Sequence, residues 1–308
     1  MQEKPKELIK VLVVEDSVAT SKLMTMMLNS DPSILVVGAA YNGKDAVDYT
    51  RQLKPDIITM DILMPVMDGY EATKQIMAFY PTPILIVTSS AIDSNSGSPF
   101  KALSLGALDV MDKNNLDDPD IGGKKLIEKV KLLSNIKVIR HPLGNIHRER
   151  KVPELTKSPS VLSKIVAIAA STGGPQALLE LLKRIPKDIT CSIVIVQHIT
   201  SGFVDGLSDW LNNESQITVK TGMDGEELLP GTAYIAPSDK QMRVTNNGIK
   251  LSDEPPYKGF KPSGNILLES AAKAFGNNAI GVILTGMGND GSEGIMAKQI
   301  PWLYNSAE

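Results

Sequence analysis

Two groups of polar residues in this chain have types and spacings that could do chemistry. In each group the residues stand where an apolar run stops. Glu15 and Asp16 follow "IKVLVV", Asp61 follows "IITM", Thr88 ends "ILIVT" and Lys113 follows "LDVMD". Three carboxylates in one crevice repel one another unless a cation joins them. Hard oxygen ligands with room for water suit Mg²⁺, which Glu15, Asp16 and Asp61 could hold. A carboxylate beside that cation and a lysine can accept a phosphoryl group, because the positive charges neutralise what develops in transfer. Taken singly, each acid reads as a turn or cap residue; it is their convergence that points to chemistry.

The second group begins at "KIVAIAASTGGPQALLELL", Lys164 to Leu182. An apolar run ends in Ser171-Thr172-Gly173-Gly174, and Pro175 opens a helical pattern. Such a turn either cradles a phosphate or presents a reactive serine. The phosphate reading needs a Walker pattern, which the second half of the chain lacks. "GMGNDG", Gly286 to Gly291, does satisfy G-x-G-x-x-G between a strand and a helix. A dinucleotide site also needs an acid about 20 residues onward, whereas only 17 residues follow Gly291. Asp290 would moreover face the pyrophosphate. The nucleophile reading uses the same glycines for close approach of a substrate carbonyl to backbone N–H groups at the helix start. It needs a base and an orienting acid. His198 ends "CSIVIVQ", and Asp290 follows "AIGVILT". Ser171, His198 and Asp290 together make a triad in the order Ser…His…Asp, which differs from the α/β-hydrolase order.

Positioning these groups requires strands that alternate with helices. From Ile9, apolar β-branched runs alternate with helical spacings: "IKVLVVED", "ILVVGAA", "PDIITMD", "TPILIVT" and "LDVMDK" are strands, and the segments between them are helices. Five strands so arranged imply a doubly wound, flavodoxin-like parallel sheet over residues 1–133. Ser134 to Ser163 holds three prolines, six Lys/Arg and two Glu and breaks the pattern, as an interdomain linker would. A second parallel-sheet α/β domain occupies residues 164–308. It contains a turn-rich stretch with short strands "TAYIAP", "QMRVT" and "IKLSD", then the helix "SGNILLESAAKAF".

Composition agrees with a two-domain globular protein: 308 residues, 42% hydrophobic and 22% charged, net charge −3. That balance gives no reason to expect a nucleic-acid partner. The single cysteine, Cys191, excludes a disulfide framework and a cysteine-based zinc site, and reads as a buried strand thiol. No apolar run reaches the ~18 residues of a membrane span, and the polar start lacks a signal core. A cytoplasmic protein without membrane insertion is expected.

The motifs "VVEDS", "DILMPVMDGYEA", "VTSS" and "VMDK" resemble the receiver domain of bacterial response regulators. That resemblance implies phosphorylation of Asp61 by a histidine kinase, Mg²⁺ at Glu15, Asp16 and Asp61, and switch roles for Thr88 and Lys113. Two positions depart from the pattern: Asn114 follows Lys113 where proline is usual, and Val110 replaces the aromatic switch residue. "IAASTGGPQAL", "IVIVQHI…GF", "PGTAYIAPSDKQMRV", "PSGNILLESAA" and "VILTGMGNDGSEG" resemble the catalytic domain of the chemotaxis protein-glutamate methylesterase family. A receiver, a linker and this domain, in that order, is the family's architecture. The resemblance implies hydrolysis of glutamyl methyl esters on chemoreceptors and deamidation of certain receptor glutamines, with no cofactor for the esterase. It gives Ser171 as nucleophile, His198 as base and Asp290 as orienting acid, with Thr172 and the Met287 backbone supporting the oxyanion. An unphosphorylated receiver covering the site is also implied. After "GSEGIMA" the residues Gln299–Glu308 leave the family pattern, so the second domain is expected to lack its last elements. A signalling protein that only accepts phosphoryl groups is the alternative this leaves open.

Overall fold

Runs of Ile and Val bounded by acids, turns and glycines form strands here because branched side chains pack well on a sheet buried on both faces. The computed structural model describes residues 8–89, 99–138, 164–284, 290–296 and 302–304. The chain divides into two compact units, Met1–Asn145 and Ile146–Glu308.

In the first unit the order is β1 (Ile9–Val14), α1 (Val18–Asn29), β2 (Ile34–Ala40), α2 (Gly43–Leu53), β3 (Ile57–Met60) and α3 (Gly69–Phe79). Then come β4 (Ile84–Thr88), α4 (Phe100–Ser104), β5 (Asp109–Asp112) and α5 (Pro119–Leu133). The sheet is parallel throughout, in the order β2-β1-β3-β4-β5. Val11 to Val14 are 0–1% exposed, as a central strand requires. Local chemistry sets the helix starts. Ser17, Asn42 and Asp68 accept backbone N–H groups of Thr20, Asp45 and Glu71 and so cap α1, α2 and α3.

The second unit contains β6 (Ile165–Ala170), α6 (Gly174–Leu182), β7 (Ser192–Gln197), α7 (Val204–Glu214), β8 (Thr218–Thr221) and β9 (Thr232–Ile235). The hairpin β10 (Gln241–Thr245) and β11 (Gly248–Ser252) precedes α8 (Gly264–Phe275), β12 (Ala279–Ile283), α9 (Ser292–Met296) and β13 (Trp302–Tyr304). A six-stranded parallel sheet runs β13-β12-β6-β7-β9-β8. The chain leaves β6 towards β7 and later returns to its other flank as β12. Strand order therefore reverses at β6, where parallel sheets open a crevice at their carboxyl edge. Helix α8 lies close over β6: a Cβ on Gly264 would stand 2.7 Å from the Ala169 Cβ. Two strands are not legible in the sequence. β8 lies in the stretch that reads as turns, and the backbone of Trp302–Tyr304 pairs with Gly281–Ile283 where the tail leaves the family pattern. Cys191 is buried and free, just before β7. Among the described residues no helix is long and apolar enough to cross a membrane.

Gly69, the first residue of α3, donates its N–H to the Ile62 carbonyl at 2.8 Å. A Cβ there would lie 2.1 Å from the Asp61 carbonyl oxygen. Gly69→Ala is therefore expected to push α3 off the strand end that carries Asp61. The cost should be about 1–3 kcal/mol, the usual range for overpacking. Urea unfolding of the first unit reads it; an unchanged midpoint would contradict the close approach.

Candidate functional site

In the first unit the acids and the lysine stand at the ends of neighbouring strands. Glu15 follows β1, Asp61 follows β3, Thr88 ends β4 and Lys113 follows β5. Glu15, Asp61 and Thr88 are buried, while Asp16 is exposed. The Lys113 ammonium lies 2.7 Å from Asp61 Oδ2 and 2.8 Å from Glu15 Oε2. Carboxylate oxygens of Glu15, Asp16 and Asp61 fall within 4.8 Å of one another. One ammonium thus bridges two of the three clustered carboxylates, and burial and charge together shift the buried groups. Burial pushes Glu15 above its ordinary value and the Asp61 charge adds to this, against the pull of Lys113 and the Ser17 N–H. Burial also works against the Lys113 ammonium, but hydrogen bonds and charge from Asp61 and Glu15 outweigh it and raise its pKa. Clustered hard oxygen donors with surplus negative charge fit a divalent cation. Val110, at the position where the receiver pattern has an aromatic, is buried in β5 beside Ile86.

The second unit uses the same device. Ser171 follows β6 and His198 follows β7; the last rung between them is the His198 N–H on the Ala170 carbonyl at 2.9 Å. Asp290 lies beyond β12, on the other side of β6. Its Oδ2 sits 2.9 Å from His198 Nε2. The carboxylate is also held by Ser263 Oγ at 2.7 Å and by the N–H groups of Gly264 and Asn265 at 2.6 and 3.0 Å. Those two N–H groups open α8, where unpaired donors and the helix dipole favour negative charge. Burial alone would raise the Asp290 carboxyl. The hydrogen bonds from His198, Ser263, Asn265 and Gly264 outweigh it and hold the group below its ordinary value.

An ionised carboxylate only accepts, so the hydrogen of a neutral imidazole sits on Nε2. Nδ1 then carries the lone pair; it is buried with no hydrogen-bond partner among the described residues. Phe260 stacks on the imidazole with centroids 4.7 Å apart and planes 13° apart. That ring comes from a tight turn, Tyr257 to Phe260, closed by paired backbone hydrogen bonds of 3.0 Å. Glu293 of α9 accepts from both Tyr257 and Lys258 in that turn. Gln241, fully buried at the start of β10, bonds the Phe260 carbonyl and the Ser263 N–H at 3.1 and 2.9 Å. Such a set can present a lone pair at Nδ1 and stabilise an imidazolium once a proton arrives.

Residues 11–126 match the response regulator receiver domain family, and residues 166–299 match the CheB methylesterase family. The chain is 42% identical over 293 residues to protein-glutamate methylesterase/protein-glutamine glutaminase 1 of Syntrophus aciditrophicus, across 92% of this chain and 83% of that protein. It belongs to the protein-glutamate methylesterase family. The relative of that name in Nitrosospira multiformis is 40% identical over 93% of this chain and 82% of its own length. The one in Halalkalibacterium halodurans is 40% identical over 93% and 84%.

For this member of the methylesterase family, the structure brings His198 and Asp290 into contact and sets Ser171 and His198 each one residue past the ladder between β6 and β7. Ser171 Oγ makes no hydrogen bond with the imidazole among the described residues. Apo geometry at such sites is often loose and tightens with substrate. Thr172 lies in the turn between β6 and α6, and Met287 falls outside the described residues. Sequence reasoning missed Ser263, Phe260, Gln241 and Gln197. Only Ser263 carried a signal, as a serine directly before a helical pattern.

The Asp290 shift gives a pH test. A carboxyl whose folded pKa is depressed stabilises the fold above the unfolded value, about 3.9, and loses that contribution as pH falls through the folded value. Asp290→Asn should therefore lower the Tm of the second unit at neutral pH. The gap from the parent should hold down to about pH 4 and close below it. Thermal melts at several pH values read the gap; a gap that stays constant into strong acid would contradict the charged, hydrogen-bonded state.

Proposed function

We propose that this protein hydrolyses glutamyl methyl esters on chemoreceptors and deamidates specific receptor glutamines, under the control of a phosphoryl group on Asp61. The observation that carries this reading is the His198 imidazole, whose Nε2 is committed to Asp290 and whose buried Nδ1 has no hydrogen-bond partner among the described residues. The names of the relatives supply the substrate class.

In this reading Ser171 Oγ attacks the ester carbonyl carbon and its proton passes to His198 Nδ1. Asp290 stabilises the imidazolium through Nε2. Backbone N–H groups at Thr172 and Met287 receive the negative oxygen of the tetrahedral intermediate. The imidazolium then returns the proton to the leaving oxygen, the tetrahedral intermediate collapses, and methanol departs, leaving a glutamyl ester on Ser171. Water, deprotonated by the same nitrogen, attacks that ester and releases glutamate and the free serine. With glutamine the leaving group is ammonia, and every other step is the same.

In the proposed division, residues 1–133 form the receiver, 134–163 the linker and 164–308 the catalytic domain. A histidine kinase supplies the phosphoryl group. Glu15, Asp16 and Asp61 would hold a Mg²⁺, which when bound neutralises charge on the incoming phosphoryl group. Lys113 and Thr88 then meet that group at the ends of the neighbouring strands. The protein works in the cytoplasm on the cytoplasmic part of its receptor.

Methanol release from a methylated receptor tests the chemistry. Ser171→Ala and His198→Ala should each lower kcat by roughly 10⁴–10⁶-fold, and the double variant should be little worse, because such residues act as a unit. Esterase activity surviving in Ser171→Ala would overturn the nucleophile assignment. For control, a small phosphodonor with Mg²⁺ should label the protein and raise its activity. Asp61→Asn should abolish both effects and leave basal activity in place; activation that persists in this variant would refute the control mechanism.

A further inference from the structure

The ladder between β6 and β7 ends where the two chains must part. Ala170 pairs with Gln197, and the next residues are Ser171, which turns into α6, and His198, which leads away towards α7. The strand pairing stops at Ala170 and Gln197, and the His198 N–H rung lies where they part. The Gln197 side chain stands in that gap and is 2% exposed. Its Nε2 donates to the Ser171 carbonyl at 2.8 Å and to the His198 carbonyl at 3.0 Å. One amide group thus spends both of its N–H bonds on the two residues whose separation decides proton transfer. Oε1 of the same amide is buried with no hydrogen-bond partner among the described residues. It faces Gly174, where a Cβ would lie 1.9 Å from it. The Gly174 N–H also donates to the Ser171 carbonyl, at 2.8 Å. Glycine at the first position of α6 is what lets the amide stay between the strands.

We propose that Gln197 is a positioning residue, a side-chain rung that fixes the Ser171 turn against His198, and that Gly174 is its steric counterpart. This inference rests on the reading of Ser171 as nucleophile and His198 as base. It adds a cause for their spacing that neither residue contains. Loss of the rung leaves substrate contacts in place and lets Ser171 Oγ and His198 Nδ1 drift apart. Misplacement of reacting groups by about 1 Å costs on the order of 100-fold in rate.

The test uses the full chain and methylated receptor, with kcat and KM measured separately and a thermal melt for each variant. Gln197→Glu keeps the shape and puts oxygen in place of the double donor. Gly174→Ala displaces the amide from the other side. Each is expected to lower kcat by about 100-fold with KM unchanged. In Gln197→Ala the space beside Gly174 opens, so Gly174→Ala/Gln197→Ala should be no slower than Gln197→Ala alone, a non-additivity that two independent structural effects would not show. If Gln197→Glu does not fold, Gly174→Ala reaches the same rung without changing it. A folded variant of either kind with parental kcat, or losses that multiply in the double variant, overturns the proposal. Ser171→Ala run in parallel separates the two levels. Activity surviving there sinks the nucleophile reading and the rung with it; activity lost there but kept in Gln197→Glu sinks the rung alone.

Discussion

Neighbouring parallel strands share one ladder of hydrogen bonds, so their carboxyl ends, and whatever follows them, emerge along a single edge. Both halves of this protein depend on that constraint. In the first unit it sets Glu15, Asp61, Thr88 and Lys113 side by side from segments far apart in the chain. In the second it sets Ser171 between His198 on one flank and the approach of Asp290 on the other. No segment has to be threaded to a distant location. A polar residue placed just after a buried run arrives at the edge because the run before it is in register.

Convergence brings like charges and hungry polar groups together, and each unit answers that in its own way. Around Lys113 two buried carboxylates share one ammonium, and burial, with the Asp61 charge added, keeps Glu15 raised in spite of it. Around Asp290 the balance is closed: four donors meet one carboxylate, and its pKa falls. The first arrangement leaves room for a cation and invites one. The second needs nothing added, and its fixed charge holds the imidazole in one tautomer. A cluster of carboxylates suited to a cation and a closed carboxylate–imidazole pair thus come from the same strand-end placement, separated by how many donors surround the carboxylate.

The strand-end residues were legible because the signal is one-dimensional. An apolar run of β-branched residues that stops at Glu15, Asp61, Ser171 or His198 announces both the strand and its exit. The sheet order of the second unit was not legible, since nothing local to β12 says that it returns to the far flank of β6. β8, four residues of mixed exposure among turns, has no pattern to set it apart. The supporting residues were hidden for a different reason. Gln197, Gln241 and Phe260 act through carbonyls and rings that lie close only after folding. Gln197 sits beside His198 in sequence yet works by reaching Ser171, and Gln241 looks like any polar residue opening a strand. What a side chain can donate is written in its type, whereas what it will find to donate to is settled by the strands around it.

The close approach of α8 to β6 at Gly264, and of α6 to Gln197 at Gly174, leaves no space for a single methyl group. Mutational drift at these positions is closed by volume, whatever the chemistry of the newcomer. The turn that carries Phe260 is limited differently: Gly259 has open space for a Cβ but a φ of +91°, and Lys258 a φ of 50°, backbone that L side chains rarely adopt. Tyr257 and Lys258 beside it are exposed. The floor of the site is therefore held by packing, and its rim by backbone conformation and by the Glu293 contacts. A change at 257–259 has to satisfy the turn's own backbone and its contacts with Glu293, because the same turn carries the ring on His198.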